Sequence, residues 1–212
     1  MYIPDEFKEV RTEEIFKIKQ DYPLASIIAH TSQGLLACHI PLIWKNPQCL
    51  LGHMALLNEM NHLLADHQEV LCIFQGANAY ISANYYPSKQ IDHQKVPTWN
   101  YQAVHVYGRL VFLHDDKSKI AALGQLTKQR EQRAHGDQAW KMSDAPKDYL
   151  AQRLTELSVF EITVDRVLAK SKLSQNRSQI DFDNVVQELQ QRGEDALAES
   201  MLALPSHNQN AS

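Results

Sequence analysis

Residues 101–113 read Tyr-Gln-Ala-Val-His-Val-Tyr-Gly-Arg-Leu-Val-Phe-Leu, and this stretch decides the predicted fold. Apolar and polar side chains alternate along it, which is typical of a β-strand with one face in the core. The expected buried face carries Val104, Val106, Leu110 and Phe112, and the expected polar face carries His105, Tyr107 and Arg109. The strand therefore has one face for packing and one face available for polar contacts.

Short apolar runs rich in β-forming residues surround this strand. They lie at residues 24–30, 35–44, 49–55, 70–75, 159–168 and 170–176. Helical periodicity and capping residues predict helices at residues 12–20, 58–66, 116–133, 144–157 and 184–202. Six to seven strands with few parallel βαβ units indicate a mainly β fold with peripheral helices (α+β). We expect a closed or partly closed antiparallel barrel.

The length of 212 residues suits a single domain, which we place at residues 1–204, including the C-terminal helix. Residues 205–212 are expected to form a disordered tail. The formal charge is −4, and no basic run exceeds two residues. This charge pattern counts against DNA binding through the protein's own surface.

Cysteine usage and hydropathy predict the compartment. The three cysteines, Cys38, Cys49 and Cys72, lie in apolar stretches without a CxxC pair, which indicates reduced, buried thiols. Acidic and basic residues interrupt the N-terminal region, so no signal peptide is expected. No apolar run has the length that a membrane span needs. We expect a cytoplasmic protein that does not enter the membrane.

Several well-known catalytic and binding motifs are absent from the sequence. There is no GxGxxG, no GxxxxGK[ST], no HExxH and no GxSxG. A Rossmann nucleotide site, a P-loop, a zinc hydrolase site and a serine hydrolase elbow are therefore not expected, nor is a bound metal. No catalytic residue can be assigned.

Polar and aromatic blocks at the ends of the predicted strands are the candidate binding residues. Ser82, Ser88 and Lys89 supply two hydroxyls and a cation, the groups that bind a phosphate, although their stretch could simply be an aromatic loop over the barrel mouth. Thr98 and Asn100 flank Trp99, a combination that suits a planar ring with a polar edge, or that merely begins the long strand.

A further polar block follows at residues 170–176. Strand alternation would place Lys170, Lys172, Ser174 and Asn176 on one side, either as a binding face or as a solvated edge strand protected by lysines. His39 and His53 have no acid or nucleophile partner nearby in sequence, and single strand histidines are more often structural.

Taken together, the blocks resemble the PaiB-type FMN-binding negative transcriptional regulators. The matching stretches include Met1–Phe7, Gly52-His53, Tyr80-Ile81-Ser82, residues 86–89, residues 96–101 and residues 172–176. The resemblance implies a split antiparallel β-barrel like that of pyridoxamine-phosphate oxidases and flavin reductases, and a homodimer with FMN at the subunit interface. The implied cofactor-binding residues are His39, His53, Asn58, Tyr80, Ser82, Ser88, Lys89, Thr98, Trp99, Asn100, Lys172, Ser174, Gln175 and Asn176.

The sequence departs from the family pattern at two places. Leu56 stands where the family usually has an arginine, and Ala83-Asn84-Tyr85 replaces a usual Pro-Ser-Trp. Loss of a bidentate arginine contact to phosphate is worth about 1.5–3 kcal/mol, or about ten- to a hundred-fold in affinity.

The resemblance implies a cytoplasmic, homodimeric, FMN-binding flavoprotein that acts as a negative transcriptional regulator. The description of the family as transcriptional regulators implies DNA binding, but the formal charge of −4 does not support it. An alternative is a flavin reductase or oxidase that uses FMN in the same pocket. A third hypothesis is a haem-handling split barrel with His39 or His53 as axial ligand.

Overall fold

Seven strands form one open sheet in the computed structural model, which describes residues 1–205. They are β1 (Leu24–Thr31), β2 (Gly34–Pro41), β3 (Ile43–Asn46), β4 (Cys49–Ala55), β5 (Gln68–Ile81), β6 (Thr98–Leu113) and β7 (Leu157–Lys172). The order across the sheet is β2-β1-β5-β6-β7-β4-β3. The register of the β1–β2, β1–β5, β3–β4 and β4–β7 pairs is antiparallel, which confirms the predicted mainly β architecture.

Short and medium helices surround the sheet. They are α1 (Thr12–Asp21), α2 (Glu59–Leu63), α3 (Lys89–Asp92), α4 (Asp116–His135), α5 (Lys147–Thr155), α6 (Gln179–Gln191) and α7 (Asp195–Leu202). Side chains of Asn58, Asp115 and Ser178 accept backbone N–H groups at the starts of α2, α4 and α6. No helix within the described chain is both long enough and apolar enough to cross a membrane.

The stretch that decided the fold behaves as predicted. Val104, Val106 and Leu110 are fully buried, and Phe112 is nearly so. The strand begins three residues earlier than its alternation indicates, because residues 98–100 already pair within the sheet.

Several predicted element bounds are wrong. β5 extends to Ile81, six residues beyond the predicted run at 70–75. The run at 35–44 is two strands, separated at Leu42, and the last predicted helix is two helices, separated where Gly193 adopts φ +77°. The predicted strand at 170–176 does not form, because β7 ends at Lys172 and Ser174 turns the chain with φ +62°.

The chain separates into two compact units. Unit 1 comprises Met1–Asp21, Gln75–Val104 and residues 168–205, whereas unit 2 comprises Tyr22–Phe74 and His105–Val167. The core of unit 1 includes Ile81, Tyr86, Leu173, Val185, Leu197 and Met201. One core cluster of unit 2 includes Ile43, Leu51, Leu123, Leu126 and Val159. The single domain at 1–204 stays a prediction, and the predicted tail lies, except for Pro205, outside the described residues.

Candidate functional site

Lys172, at the end of β7, brings together three of the predicted binding residues in unit 1. Its Nζ donates a hydrogen bond to the carbonyl oxygen of Trp99 at 2.7 Å and another to Thr98 Oγ1. Thr98 and Trp99 begin β6, which lies next to β7 in the sheet. The start of β6 and the end of β7 therefore hold the ammonium at one end of these two strands. The side chain is half-buried, and its cation therefore has a defined position.

Three cations lie close together in this part of unit 1. Burial lowers the pKa of Lys172, and the positive charges of Lys170 and Arg177 lower this pKa further. Within residues 1–205, none of the three side chains forms an ion pair with a carboxylate. These charges are therefore not neutralised by ion pairs, and they favour an anionic ligand. We call Lys170, Lys172 and Arg177 the cationic cluster.

Aromatic rings support two members of this cluster. The Lys170 ammonium lies 5.1 Å from the ring centroid of Tyr101, and the Arg177 guanidinium lies 4.8 Å from that of Tyr86. Sequence reasoning did not include Arg177 in the site. Its position directly after the 172–176 block was the only available signal.

Tyr80 and Trp99 form an exposed ring pair beside Lys172. Tyr80 lies near the end of β5 and Trp99 near the start of the adjacent β6, with ring centroids 6.2 Å apart and planes at 71°. Their exposed fractions are 50% and 54%, so both rings offer surface to a ligand. An exposed aromatic ring next to a cation suits a planar ring that carries a phosphate.

Asn100 and Ser174 act inside the protein. Asn100 is fully buried, and its Nδ2 donates to Ser174 Oγ at 2.9 Å. This bond joins β6 to the turn after β7, where Ser174 holds its positive φ. The pair therefore supports the backbone next to Lys172.

Gln175 and Asn176 complete this turn. Gln175 Nε2 donates to the carbonyl oxygen of Ser171 at 2.6 Å, and its Oε1 accepts from the Leu173 N–H at 2.7 Å. Asn176 is exposed. The prediction that Lys170, Lys172, Ser174 and Asn176 share one strand face is wrong, because the strand has already ended.

The Ser82–Lys89 segment is held by contacts of its own. Ser82 Oγ accepts from the Asn84 N–H at 3.2 Å, and Lys89 Nζ donates to Asn84 Oδ1 at 2.5 Å. The N–H and Oγ of Ser88 both donate to Asp181, at 3.0 and 2.6 Å. Both Ser88 donors are thus engaged with a carboxylate that sequence reasoning missed.

Three predicted residues belong to unit 2. His39 Nδ1 lies 3.0 Å from Ser26 Oγ on the exposed side of β2. Asn58 Oδ1 caps α2 by accepting from the Met60 N–H at 2.9 Å. The buried Nδ1 of His53 has no hydrogen-bond partner in the described part of the chain, and burial lowers the pKa of this imidazole. His53 is therefore a neutral ring with an unused polar atom.

Comparison with known proteins identifies the family. A family model described as "Putative FMN-binding domain" matches residues 1–166. The protease synthase and sporulation protein PAI 2 of Bacillus subtilis is 36% identical over 194 residues, which cover 90% of this chain and 89% of the relative. The family model ends before Lys172, so the cationic cluster lies beyond the residues that it matches.

Solved structures show the same fold at low sequence identity. The flavocytochrome Anf3 from Azotobacter vinelandii has a TM-score of 0.57 at 14% identity, over 78% of this chain and 69% of that one. The FAD and heme binding protein from Mycobacterium smegmatis has the same TM-score and identity, over 78% and 73%. The predicted split-barrel fold is confirmed.

The family match also confirms FMN as the cofactor predicted from the sequence. The chain belongs to the PaiB-type family of FMN-binding domains.

Proposed function

We propose that this protein binds FMN with its phosphate at the cationic cluster and its ring system against Tyr80 and Trp99. The observation that carries this proposal is the positive charge of Lys170, Lys172 and Arg177 beside the exposed ring pair. A phosphate monoester carries about 1.5–2 negative charges at neutral pH, which matches such a cluster. When bound, FMN supplies hydride and single-electron transfer.

An unused donor in the cluster fits a phosphate. An ammonium has three N–H donors, and Lys172 uses two of them on Trp99 and Thr98. The third N–H of Lys172 can therefore donate to an anion without breaking the present contacts of this ammonium.

The substitution at position 56 does not remove this cluster. Leu56 follows β4, is 40% exposed and brings no charge. Three cations remain in unit 1, so we expect FMN affinity to persist in spite of the departure from the family pattern. Ser88 has no part in this proposal, because Asp181 already takes both of its donors.

We propose further that the protein is a homodimer. On the outer face of the sheet, Ile28 of β1 pairs with Ala37 of β2 and with Leu71 of β5. Leu35, the second residue of the edge strand β2, is 79% exposed. Ser26 and His39 lie on the same face, so this face is mixed, and its apolar part would be covered by a second copy of the chain.

The dimer is tested by sedimentation velocity. The wild-type chain should sediment as a dimer, and Leu35→Glu should sediment as a monomer with an unchanged circular dichroism spectrum. A monomeric wild-type chain, with or without FMN, would contradict the dimer and leave FMN binding to be judged separately.

We propose a regulatory role in the cytoplasm, exerted without a DNA-binding surface of its own. The relative in Bacillus subtilis is named a protease synthase and sporulation protein, and the three cysteines of this chain are free thiols. The formal charge of −4 argues against direct contact with DNA. Fluorescence anisotropy with duplex DNA at low salt should show no binding, and tight, sequence-dependent binding would overturn the indirect role.

A flavin reductase is the second candidate function. Tyr80 and Trp99 are half-exposed, so a flavin bound against them would be open to solvent and to a second planar molecule. Rapid bleaching of the FMN-loaded protein by NADH or NADPH, followed by multiple turnovers, would support this enzyme. Absence of bleaching under anaerobic conditions would leave the regulatory role in first place.

A further inference from the structure

Unit 2 contains a cavity of about 480 Å³ between the second half of α4 and the loop that follows it. Its volume lies within the range of about 300–1,000 Å³ that is usual for small-molecule pockets. None of the predicted FMN-binding residues lines it. The cavity is therefore a separate feature of the molecule, and an inference about it does not rest on the proposed function.

Gly124 forms the floor of this cavity, although a glycine lowers the stability of the helix that contains it. Gly124 lies in the interior of the 20-residue helix α4. A glycine there destabilises a helix by about 0.8–1 kcal/mol relative to alanine. A Cβ at this position would meet only Met142 Sδ, at the ordinary contact distance of 3.8 Å. Close packing therefore does not require a glycine, and no side chain from this position enters the cavity.

The walls of the cavity are fixed in place. The Trp140 N–H donates to Glu131 Oε2 at 3.1 Å, which ties the loop to α4. Met142 packs against the core cluster that includes Leu123 and Leu126. The Trp140 ring is 43% exposed, so the cavity offers a preformed aromatic and thioether wall.

The charged residues that line the cavity are Lys128, Lys141 and Asp137. The carboxylates of Glu131 and Asp144 lie close by, where they accept the backbone N–H groups of Trp140 and Lys141. In the part of the chain that the structure describes, neither lysine forms an ion pair. A ligand with one negative charge would be attracted, and a neutral ligand of the same shape would not.

We propose that this cavity binds a small planar aromatic compound with one acidic group, such as an aromatic carboxylate. The ring lies against Trp140 and Met142, over the floor left open by Gly124. The carboxylate lies near Lys128 and Lys141. The protein would thereby have a ligand site in addition to its FMN site.

Isothermal titration calorimetry of the FMN-saturated protein tests this proposal with salicylate and its neutral isostere salicylamide. Salicylate should bind at one site per chain, and salicylamide should bind at least about tenfold more weakly, since it lacks the charge. Equal affinities would overturn the assignment of an anion. No binding of salicylate by the folded, FMN-loaded protein would overturn the site.

Two substitutions at one position separate the cavity from other sites. Gly124→Phe should abolish salicylate binding by filling the floor, whereas Gly124→Ala should retain it and raise the thermal stability of α4. Salicylate binding that survives Gly124→Phe would overturn the site. If Gly124→Phe does not fold, the double variant Lys128→Gln with Lys141→Gln replaces it, and unchanged salicylate affinity in that variant would refute the proposal.

Discussion

Replacement of Lys172 by methionine tests the phosphate site directly. The Lys172→Met variant keeps the length of the side chain and removes the ammonium that Thr98 and Trp99 now hold. A hydrogen bond to a charged group is worth about 1.5–3 kcal/mol. The Kd for FMN should therefore rise by about ten- to over a hundred-fold. The fold should not suffer, because the substitution also removes the repulsion from Lys170 and Arg177 that lowers the pKa of Lys172.

Titration with FMN and with riboflavin, which lacks the phosphate, gives the assay. The wild-type chain should bind FMN more tightly than riboflavin, and Lys172→Met should lose most of that difference while its affinity for riboflavin stays unchanged. Lys117→Met, at an exposed position in the first turn of α4, is the matched control and should bind both ligands as the wild type does. Equal losses for FMN and riboflavin in Lys172→Met would refute the reasoning, as would no loss for either.

Three further substitutions test the framework by thermal or urea unfolding. Burial lowers the pKa of Lys19 from 10.5 to about 8, so the unfolded chain binds more protons between these values and stability rises with pH there. Lys19→Met should abolish this rise of the unfolding free energy with pH, and a pH profile identical to that of the wild type would contradict the prediction. In Gly108→Ala, the new Cβ would lie 2.3 Å from the Thr163 carbonyl oxygen, so the free energy of unfolding should fall by more than about 2 kcal/mol. An unchanged urea midpoint would count against this close contact. Burial acts to raise the pKa of Asp181, but hydrogen bonds from Ser88 outweigh it and lower the pKa. Asp181→Asn should lower the free energy of unfolding by about 1.5–3 kcal/mol at neutral pH. The gap in stability between wild type and variant should shrink in acid, because the wild-type carboxylate becomes protonated there. A gap that does not change with pH would argue against a hydrogen bond to a charged carboxylate.

The strands could be predicted where local alternation decides burial. Residues 101–113 show a period of two because β6 has one face in the core, and this pattern requires no knowledge of distant contacts. The end of β7 could not be predicted in this way. The positive φ of Ser174 is uncommon for a residue with a side chain, and a buried hydrogen bond to Asn100, 74 residues away, supports it.

The site was predictable only in part for the same reason. Lys172, Trp99 and Thr98 were found from residue types at strand ends, and the sheet brings them together. The engagement of Ser88 by Asp181 depends on a contact 93 residues apart, for which neither local stretch carries a signal. The Arg177 guanidinium packs over the ring of Tyr86, which is also distant in sequence.

FMN binding by this chain can be tested with the visible absorption spectrum of the purified protein, taken after addition of FMN and desalting. We expect flavin bands to remain with the wild-type protein at about one FMN per chain, and Lys172→Met to lose them on the same column. A folded wild-type protein that emerges colourless would contradict the claim that this chain, with Leu56 and its cationic cluster, holds FMN.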